Sequence, residues 1–285
     1  MTRKKSVFLE THNINNRATG FGTFNYELIK GLEQLPFDNL ELYLNSKKTN
    51  ELKSEFGDKF KYQQYIGPHR YKNFRPLKKY DLWHSVNQNS KIEPRYDTKY
   101  LLTVHDVNFV EEISSDMNHK RNLAFIEKLE KSTAITYISE FAKKQTHQYF
   151  NVPNVPEYII YNGNPISNIL DTSNFTPNII SEKPFFFSIG DFIERKNFQS
   201  IVKMMIHIPD FNLIIAGNND KPYGEEIKNC IVENKLENRV FLTGKVSEIE
   251  KQYYLKNCTA FLFPSVREGF GLPPIEAMKF GKPVF

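Results

Sequence analysis

Ten short apolar runs, separated by longer stretches with helical spacing, set the tightest limit on how this chain can fold. The first series is "SVFLE" (6–10), "LELYL" (40–44), "DLWHSV" (81–86), "YLLTVHD" (100–106), "AITYIS" (134–139) and "EYIIYN" (157–162). The second is "PFFFSIG" (184–190), "NLIIAG" (212–217), "VFLTG" (240–244) and "TAFLFPS" (259–265). Helices are expected at 23–34, 118–131, 140–150, 198–207, 225–234, 247–256 and 273–280. Strands apolar on both sides and separated by helices read as parallel sheets covered on both faces. At 285 residues the chain exceeds one ordinary core. The segment "NPISNILDTSNFTPNIISEKP" (164–184), rich in Asn, Ser, Thr and Pro, reads as a linker. The expectation is an α/β protein of two doubly wound, Rossmann-like domains, 1–165 and 184–285, joined by a linker over 166–183.

Composition narrows the function classes. A hydrophobic share of 40% with 14% aromatic residues belongs to a folded chain. The net charge of +5 tolerates anionic ligands such as nucleotides but is too small to imply nucleic acid. Cys230 and Cys258 are too few for a disulfide framework or a zinc cluster, and point to a reducing compartment. The apolar run in "MTRKKSVFLE" ends at Glu10, as in a first strand and unlike a signal peptide. No apolar run approaches the roughly eighteen residues of a membrane span.

In open parallel sheets, ligands gather beyond the carboxyl ends of strands, and the motif-like segments fall there. In "THNINNRATGFGTF", Gly20 and Gly22 precede an amphipathic helix, either as a phosphate-facing helix start or as a plain tight turn. A dinucleotide fingerprint wants a third glycine where Asn25 stands and an acid where Asn45 stands, which weakens an NAD reading. His105 and Asp106 end a strand; the histidine either donates to a sugar hydroxyl or is structural. In "GDFIERKN", Arg195 and Lys196 open a helix with Asn197 as its expected N-cap. Cations there oppose the helix dipole, so they suit a doubly charged anion, the alternative being a solvated basic turn. No Asp-x-Asp and no cluster with ligand spacing occurs, so no metal site is expected.

"SVREGFGLPPIEAM" (265–278) places Glu268 and Glu276 on either side of a glycine loop. Gly269 and Gly271 permit close approach to the main chain, and Pro273 and Pro274 suit a first helical turn. Glu276 is then expected in that turn, favoured by the dipole. A separate stretch, "KYQQYIGPHRYKNFRPLKKY" (61–80), interleaves six Lys/Arg with five aromatics. It reads either as a solvated variable loop or as a surface for anionic membranes or nucleic acid.

Taken in order, these segments resemble the retaining glycosyltransferases of family 4, which share the GT-B fold. The likeness rests on the glycine turn, "VHD", "YIS-EFAKK", "YNG", "IGDFIERKN", "IIAG", "FLTGKV" and above all "FPSVREGFGLPPIEAM", which carries the family's Glu-x7-Glu signature. The resemblance implies two Rossmann-like domains facing a cleft. By similarity Glu268, Phe270, Gly271 and Leu272 hold the donor sugar, and Glu276 accepts from the nucleotide ribose. Lys196 and Arg195 neutralise the donor diphosphate, Gly22 offers it an amide, His105 contacts the sugar, and Val246 meets the base through its backbone. A carboxylate suits a vicinal diol because its two oxygens accept two hydroxyls in one plane. Where many relatives carry Arg after the strand-end glycine, this chain has Asp191.

The implied activity is metal-independent, retaining hexosyl transfer in surface polysaccharide synthesis. The donor would be GDP-mannose or a UDP-hexose, with mannose favoured by the Pro-Pro motif, and the acceptor a glycan or lipid-linked glycan. No further cofactor and no nucleic acid partner is implied. The setting is cytoplasmic, with the 61–80 segment as a peripheral contact to the inner face of the plasma membrane. Retention is assigned to a front-face route in which the departing phosphate takes the acceptor's proton, so neither glutamate is a nucleophile. A non-catalytic sugar-nucleotide binder and an NAD-dependent oxidoreductase are the alternatives. "GKPVF" reads as the opening of a buried strand, which gives the expectation that the C-terminal domain is incomplete at Phe285.

Overall fold

The apolar runs become strands of two all-parallel sheets in a computed structural model that describes residues 3–17 and 19–285. Met1, Thr2 and Ala18, which fall in two of the stretches read above, lie outside the described residues. The chain divides into two compact units, Met1–Asn162 and Gly163–Phe285.

In the first unit the order is β1 (Lys5–Leu9), α1 (Gly20–Gln34), β2 (Leu40–Ser46), α2 (Thr49–Phe56), β3 (Lys61–Gln64), β4 (Leu82–Ser85) and β5 (Lys99–Val104). It continues with α3 (Phe109–Glu112), α4 (Lys120–Lys131), β6 (Ala134–Tyr137), α5 (Glu140–Tyr149) and β7 (Glu157–Ile159). The strands lie in the order β3-β2-β1-β4-β5-β6-β7. Succession reverses at the β1/β4 pair, which is a topological switch point. Period-two alternation gives each face its own core. Val7, Leu9, Leu42 and Leu44 pack with Ile29, Leu52, Phe56 and Phe60. Phe8 instead stacks on Trp83 at 3.8 Å between centroids, and Tyr80 packs against both rings.

The second unit runs β8 (Phe185–Ile189), α6 (Phe198–Met204), β9 (Asn212–Ala216), α7 (Pro222–Glu233), β10 (Val240–Gly244), α8 (Glu248–Asn257), β11 (Ala260–Phe261) and α9 (Leu272–Lys279). Its sheet order is β10-β9-β8-β11, with the switch point between β8 and β11. Along β9, Leu213 and Ile215 join Ile201, Val202 and Ile227, while Ile214 and Ala216 join Tyr254, Leu255 and Ala277. A strand clothed on both sides in this way is why the run "NLIIA" carries no polar alternation. Each fully buried aliphatic or aromatic side chain contributes about 1.5–3 kcal/mol.

The segment expected as a linker, 166–183, belongs instead to the second unit. Leu170 N–H donates to Gln252 Oε1 at 2.8 Å and Asn178 N–H to Glu250 Oε1 at 2.9 Å, while Ile179 N–H reaches the Tyr254 hydroxyl at 3.1 Å. Side chains of α8 thus satisfy the backbone of this segment in place of repeating secondary structure. Beside β11, Phe261 N–H donates to Pro283 O at 2.9 Å and Phe285 N–H to Phe261 O at 3.0 Å.

Candidate functional site

The switch point of the second unit is where its charged residues converge. The loop after β8 and the loop after β11 are joined by one main-chain bond and by two side chains that reach main-chain carbonyls. Val266 N–H donates to Arg195 O at 3.0 Å, and the Arg195 guanidinium donates to Arg267 O at 2.9 Å. Asn197 Nδ2 donates to Pro264 O at 3.2 Å. Asn197 is the N-cap residue of α6, as expected, but in a left-handed conformation (φ 50°) in which its side chain makes this bond and no cap bond to the helix. An Asn tolerates that backbone region better than most residues, which is what the position needs.

Glu268 sits at the centre of the junction. Its Oε1 accepts from Lys196 Nζ at 2.6 Å, Arg195 at 2.9 Å and Ser265 Oγ at 2.6 Å. Burial by itself raises the carboxyl, but Lys196, then Ser265 and Arg195, outweigh it and hold Glu268 below the usual carboxylate value. The result is an ionised acceptor with one oxygen clamped. The Lys196 stem packs against Gly190, where an added Cβ would lie 3.3 Å from Lys196 Cε.

Glu276 repeats the pattern one helix away. Helix α9 starts at Leu272 with Gly271 as its left-handed N-cap (φ 90°) and Pro273 and Pro274 in its first turn. This early start carries Glu276 beyond the first turn, contrary to the expectation above, so the helix terminus is not what holds its charge. Lys251 of α8 does: its Nζ lies 2.8 Å from Glu276 Oε1 and 2.9 Å from Glu248. Burial pushes the Glu276 carboxyl up, against the pull of Lys251. Burial lowers Lys251, but Glu276 and then Glu248 hold it above its ordinary value. Sequence reading missed Lys251 because it lies mid-helix in "EIEKQYYLKN", with no motif around it.

Lys251→Met is expected to leave Glu276 with its burial penalty unopposed. Its folded pKa then rises, so less of it is charged near neutral pH. Nucleotide affinity should fall roughly 10- to 100-fold, the range of a charged hydrogen bond, and recover as pH rises. Titration calorimetry with UDP and GDP across pH checks this; a pH-independent loss would contradict it.

The remaining second-unit residues have these places. Phe270, Gly271 and Leu272 form the loop-to-helix turn, each half-buried, and Val246 packs partly buried against the core beside Tyr254. Asp191, standing where many relatives carry Arg, pairs with Lys221. Gly22 and His105 lie in the first unit, where the neighbours of Gly22, Phe21 and Phe24, pack edge-on to the His105 ring at 4.9 and 4.5 Å. An added Cβ at Gly22 would fall 1.9 Å from Asn16 O, so packing alone requires glycine there. The Gly22 amide donates to Thr19 Oγ1, the N-cap of α1, at 3.2 Å. His105 is buried, and its Nε2 bonds Val86 O at 2.9 Å. Burial pushes its pKa down to about 4 despite that bond, so the ring is neutral at physiological pH, with Nε2–H as donor and Nδ1 as acceptor. Among the described residues no group of His, Cys, Asp or Glu could hold a metal, and no helix is long and apolar enough to cross a membrane.

A two-sheet parallel α/β fold with cations and a clamped carboxylate at a switch point belongs to the open-sheet α/β proteins, whose ligands gather at such points. Among solved structures, HepE of Anabaena in complex with UDP and glucose superposes with a TM-score of 0.69 at 15% identity, covering 99% of this chain and 80% of that one. Sucrose-phosphate synthase of Thermosynechococcus elongatus superposes with a TM-score of 0.68 at 18% identity, with the same coverage of 99% and 80%. These likenesses establish the fold as GT-B. Residues 171–285 match the family model of glycosyl transferases group 1. It is 30% identical over 149 residues to the O-antigen chain mannosyltransferase RfbU of Salmonella typhimurium, covering 52% of this chain and 40% of RfbU. Over 152 residues it is 32% identical to the capsular polysaccharide biosynthesis glycosyltransferase CapH of Staphylococcus aureus, covering 51% and 40%. The chain thus spans about two-fifths of the length of the curated relatives it matches.

Proposed function

We propose that this chain acts as a retaining family 4 hexosyltransferase. It would move a sugar, mannose foremost, from GDP-mannose or a UDP-hexose to a glycan or lipid-linked acceptor in cytoplasmic steps of surface polysaccharide synthesis. The observation that carries this reading is the Lys196–Glu268–Arg195 junction, in which two cations meet an ionised carboxylate on the loops that follow the two switch-point strands. The named functions of RfbU and CapH support the acceptor class, and RfbU supports mannose.

Departure of a nucleoside diphosphate concentrates negative charge on the leaving group. We assign Lys196 and Arg195 to that charge, since preorganised donors act strongly where water is excluded. Glu268, with Phe270, Gly271 and Leu272, would orient the sugar, and Glu276 the ribose. His105 and Val246 keep the contacts that the resemblance gave them, and the Gly22 amide, which donates to Thr19 Oγ1, would have to exchange that bond for the diphosphate. For His105 that contact is one of acceptance through Nδ1, because Nε2 is committed to Val86. Glu268 is engaged by three donors at one oxygen, which suits a hydrogen-bond acceptor better than a nucleophile.

The test is thermal shift against UDP-, GDP- and ADP-sugars with NAD as a control, followed by mass-detected transfer. A ligand at about 100 times its Kd stabilises by roughly 2.7 kcal/mol. Stabilisation by a sugar nucleotide with hexose transfer is expected. Stabilisation by NAD alone, or binding without transfer to any acceptor, would overturn the assignment.

A further inference from the structure

The stretch 61–80 holds six cations and no carboxylate. Only its beginning is regular: β3, then two 3-10 turns at Gly67–Arg70 and Lys72–Phe74. The second turn and the chain after it place Tyr71, Phe74 and Leu77 in solvent at 62%, 62% and 70% exposure. Large apolar side chains clustered at the surface and rimmed by charge mark an interaction site. Phe74 and Leu77 also line a cavity of about 430 Å³, together with His69, Arg75, Lys78 and Arg95.

The charges in this region are unusual in their partners. Arg75 donates to Pro94 O at 3.3 Å and Arg95 to Asn73 O at 3.1 Å, so both guanidiniums meet carbonyls and not carboxylates. Arg75 Nε is buried without a hydrogen-bond partner among the described residues. Among those residues no ion pair engages Arg70, Lys72, Arg75, Lys79 or Arg95. Lys78 lies over the Tyr43 ring at 3.7 Å, a contact that also leaves its charge uncompensated. Burial lowers the His69 pKa, so the cavity's charge comes from arginine and lysine.

We propose that this surface docks on an anionic lipid membrane, Tyr71, Phe74 and Leu77 entering the headgroup layer and the Arg75–Arg95 cavity receiving a lipid phosphate. Guanidinium forks match phosphate geometry, and apolar tips beside cations match the interface between headgroups and acyl chains. Single-stranded nucleic acid would use cations with stacking rings. It leaves the aliphatic Leu77 and Ile66, both exposed, without a role. The surface lies wholly within the first unit, and lipid binding is read without any sugar donor. Its failure is therefore distinct from failure of the transferase reading.

The experiment is co-sedimentation of the full chain with phosphatidylcholine vesicles, with and without phosphatidylglycerol, at low and high salt. Binding only to phosphatidylglycerol vesicles, weakened by salt, is expected. Tyr71→Ser/Phe74→Ser/Leu77→Ser should abolish it. Arg75→Gln/Arg95→Gln should weaken it roughly 5- to 25-fold, at about fivefold per cation. Because Arg75 and Arg95 also brace backbone carbonyls, the exposed pair Lys72→Gln/Lys79→Gln reads charge alone and should weaken binding by a similar factor. Equal binding to neutral vesicles, or indifference to the apolar triple variant, would overturn the proposal. So would full displacement by inorganic phosphate or by a single-stranded oligonucleotide, which would reassign the cavity to a soluble anion or to nucleic acid.

Discussion

Lys196→Ala is expected to lower hexose transfer about 100- to 1,000-fold while the chain stays folded. The magnitude is that of removing one preorganised donor from a site where charge develops. Lys196 is suited to the part because its side chain is only 12% exposed, with Nζ fixed 2.6 Å from Glu268 Oε1. The fold survives because Glu268 retains Arg195 and Ser265, so no carboxylate is left buried without donors. Circular dichroism with steady-state transfer checks both halves. A variant that turns over at nearly the wild-type rate would remove Lys196 from the diphosphate.

Gly217→Ala is expected to give the largest loss of stability of any single methyl addition near the site. Gly217 ends β9 with φ 145°, and an added Cβ would lie 1.7 Å from Gly190 O, at the end of β8. The obstacle is backbone on both sides. Gly190 N–H is bonded to Ala216 O at 3.0 Å and Gly217 N–H to Gly244 O at 2.8 Å, so neither strand end can yield without breaking the ladder. Strain at the dihedral together with overpacking amounts to about 3–5 kcal/mol, a large part of the 5–15 kcal/mol typical of a folded domain. A thermal melt followed by UDP binding should show an earlier transition and weaker binding together. An unshifted melt would mean that the strand ends can part.

Strand positions were legible in the sequence wherever burial is two-sided. "NLIIA" is buried at all five positions between two neighbouring strands, which is why its apolar run is unbroken, whereas "VFLTG" was legible although it is an edge strand with only Val240 buried. β3 was not legible: "KYQQ" is a polar edge strand pairing only with β2, so nothing in its composition separates it from the loop that follows. Helix α2 was missed for a related reason. Its eight residues bury only Leu52 and Phe56, too few to set a period. In the candidate site, the Glu-x7-Glu spacing located both carboxylates because glycines and prolines frame it. The partners that fix their charge, Lys251 and Ser265, carried no signal. Lys251 matters through packing between elements 25 positions apart, and Ser265 through a hydroxyl that turns back on Glu268 only 3 positions on, neither of which residue type alone reveals. Gly22 shows the opposite case, where a motif glycine has a steric cause that spacing cannot reveal.

The bonds that tie Arg195 to Val266 and Asn197 to Pro264 have a consequence for engineering donor preference. The two strand-end loops are a single inherited cassette interrupted by most of the second unit. One stitch is main chain to main chain, while the Arg195 guanidinium and the Asn197 amide make the others, so the spacing between the cation pair and the carboxylate rests on those two side chains as well as on backbone. A chimera that imports 190–197 alone would bring a carbonyl and an amide cut for a different partner loop. Importing 190–197 together with 264–272 moves the gauge along with the residues it measures, and is the smallest transplant in which a new sugar preference can be carried intact.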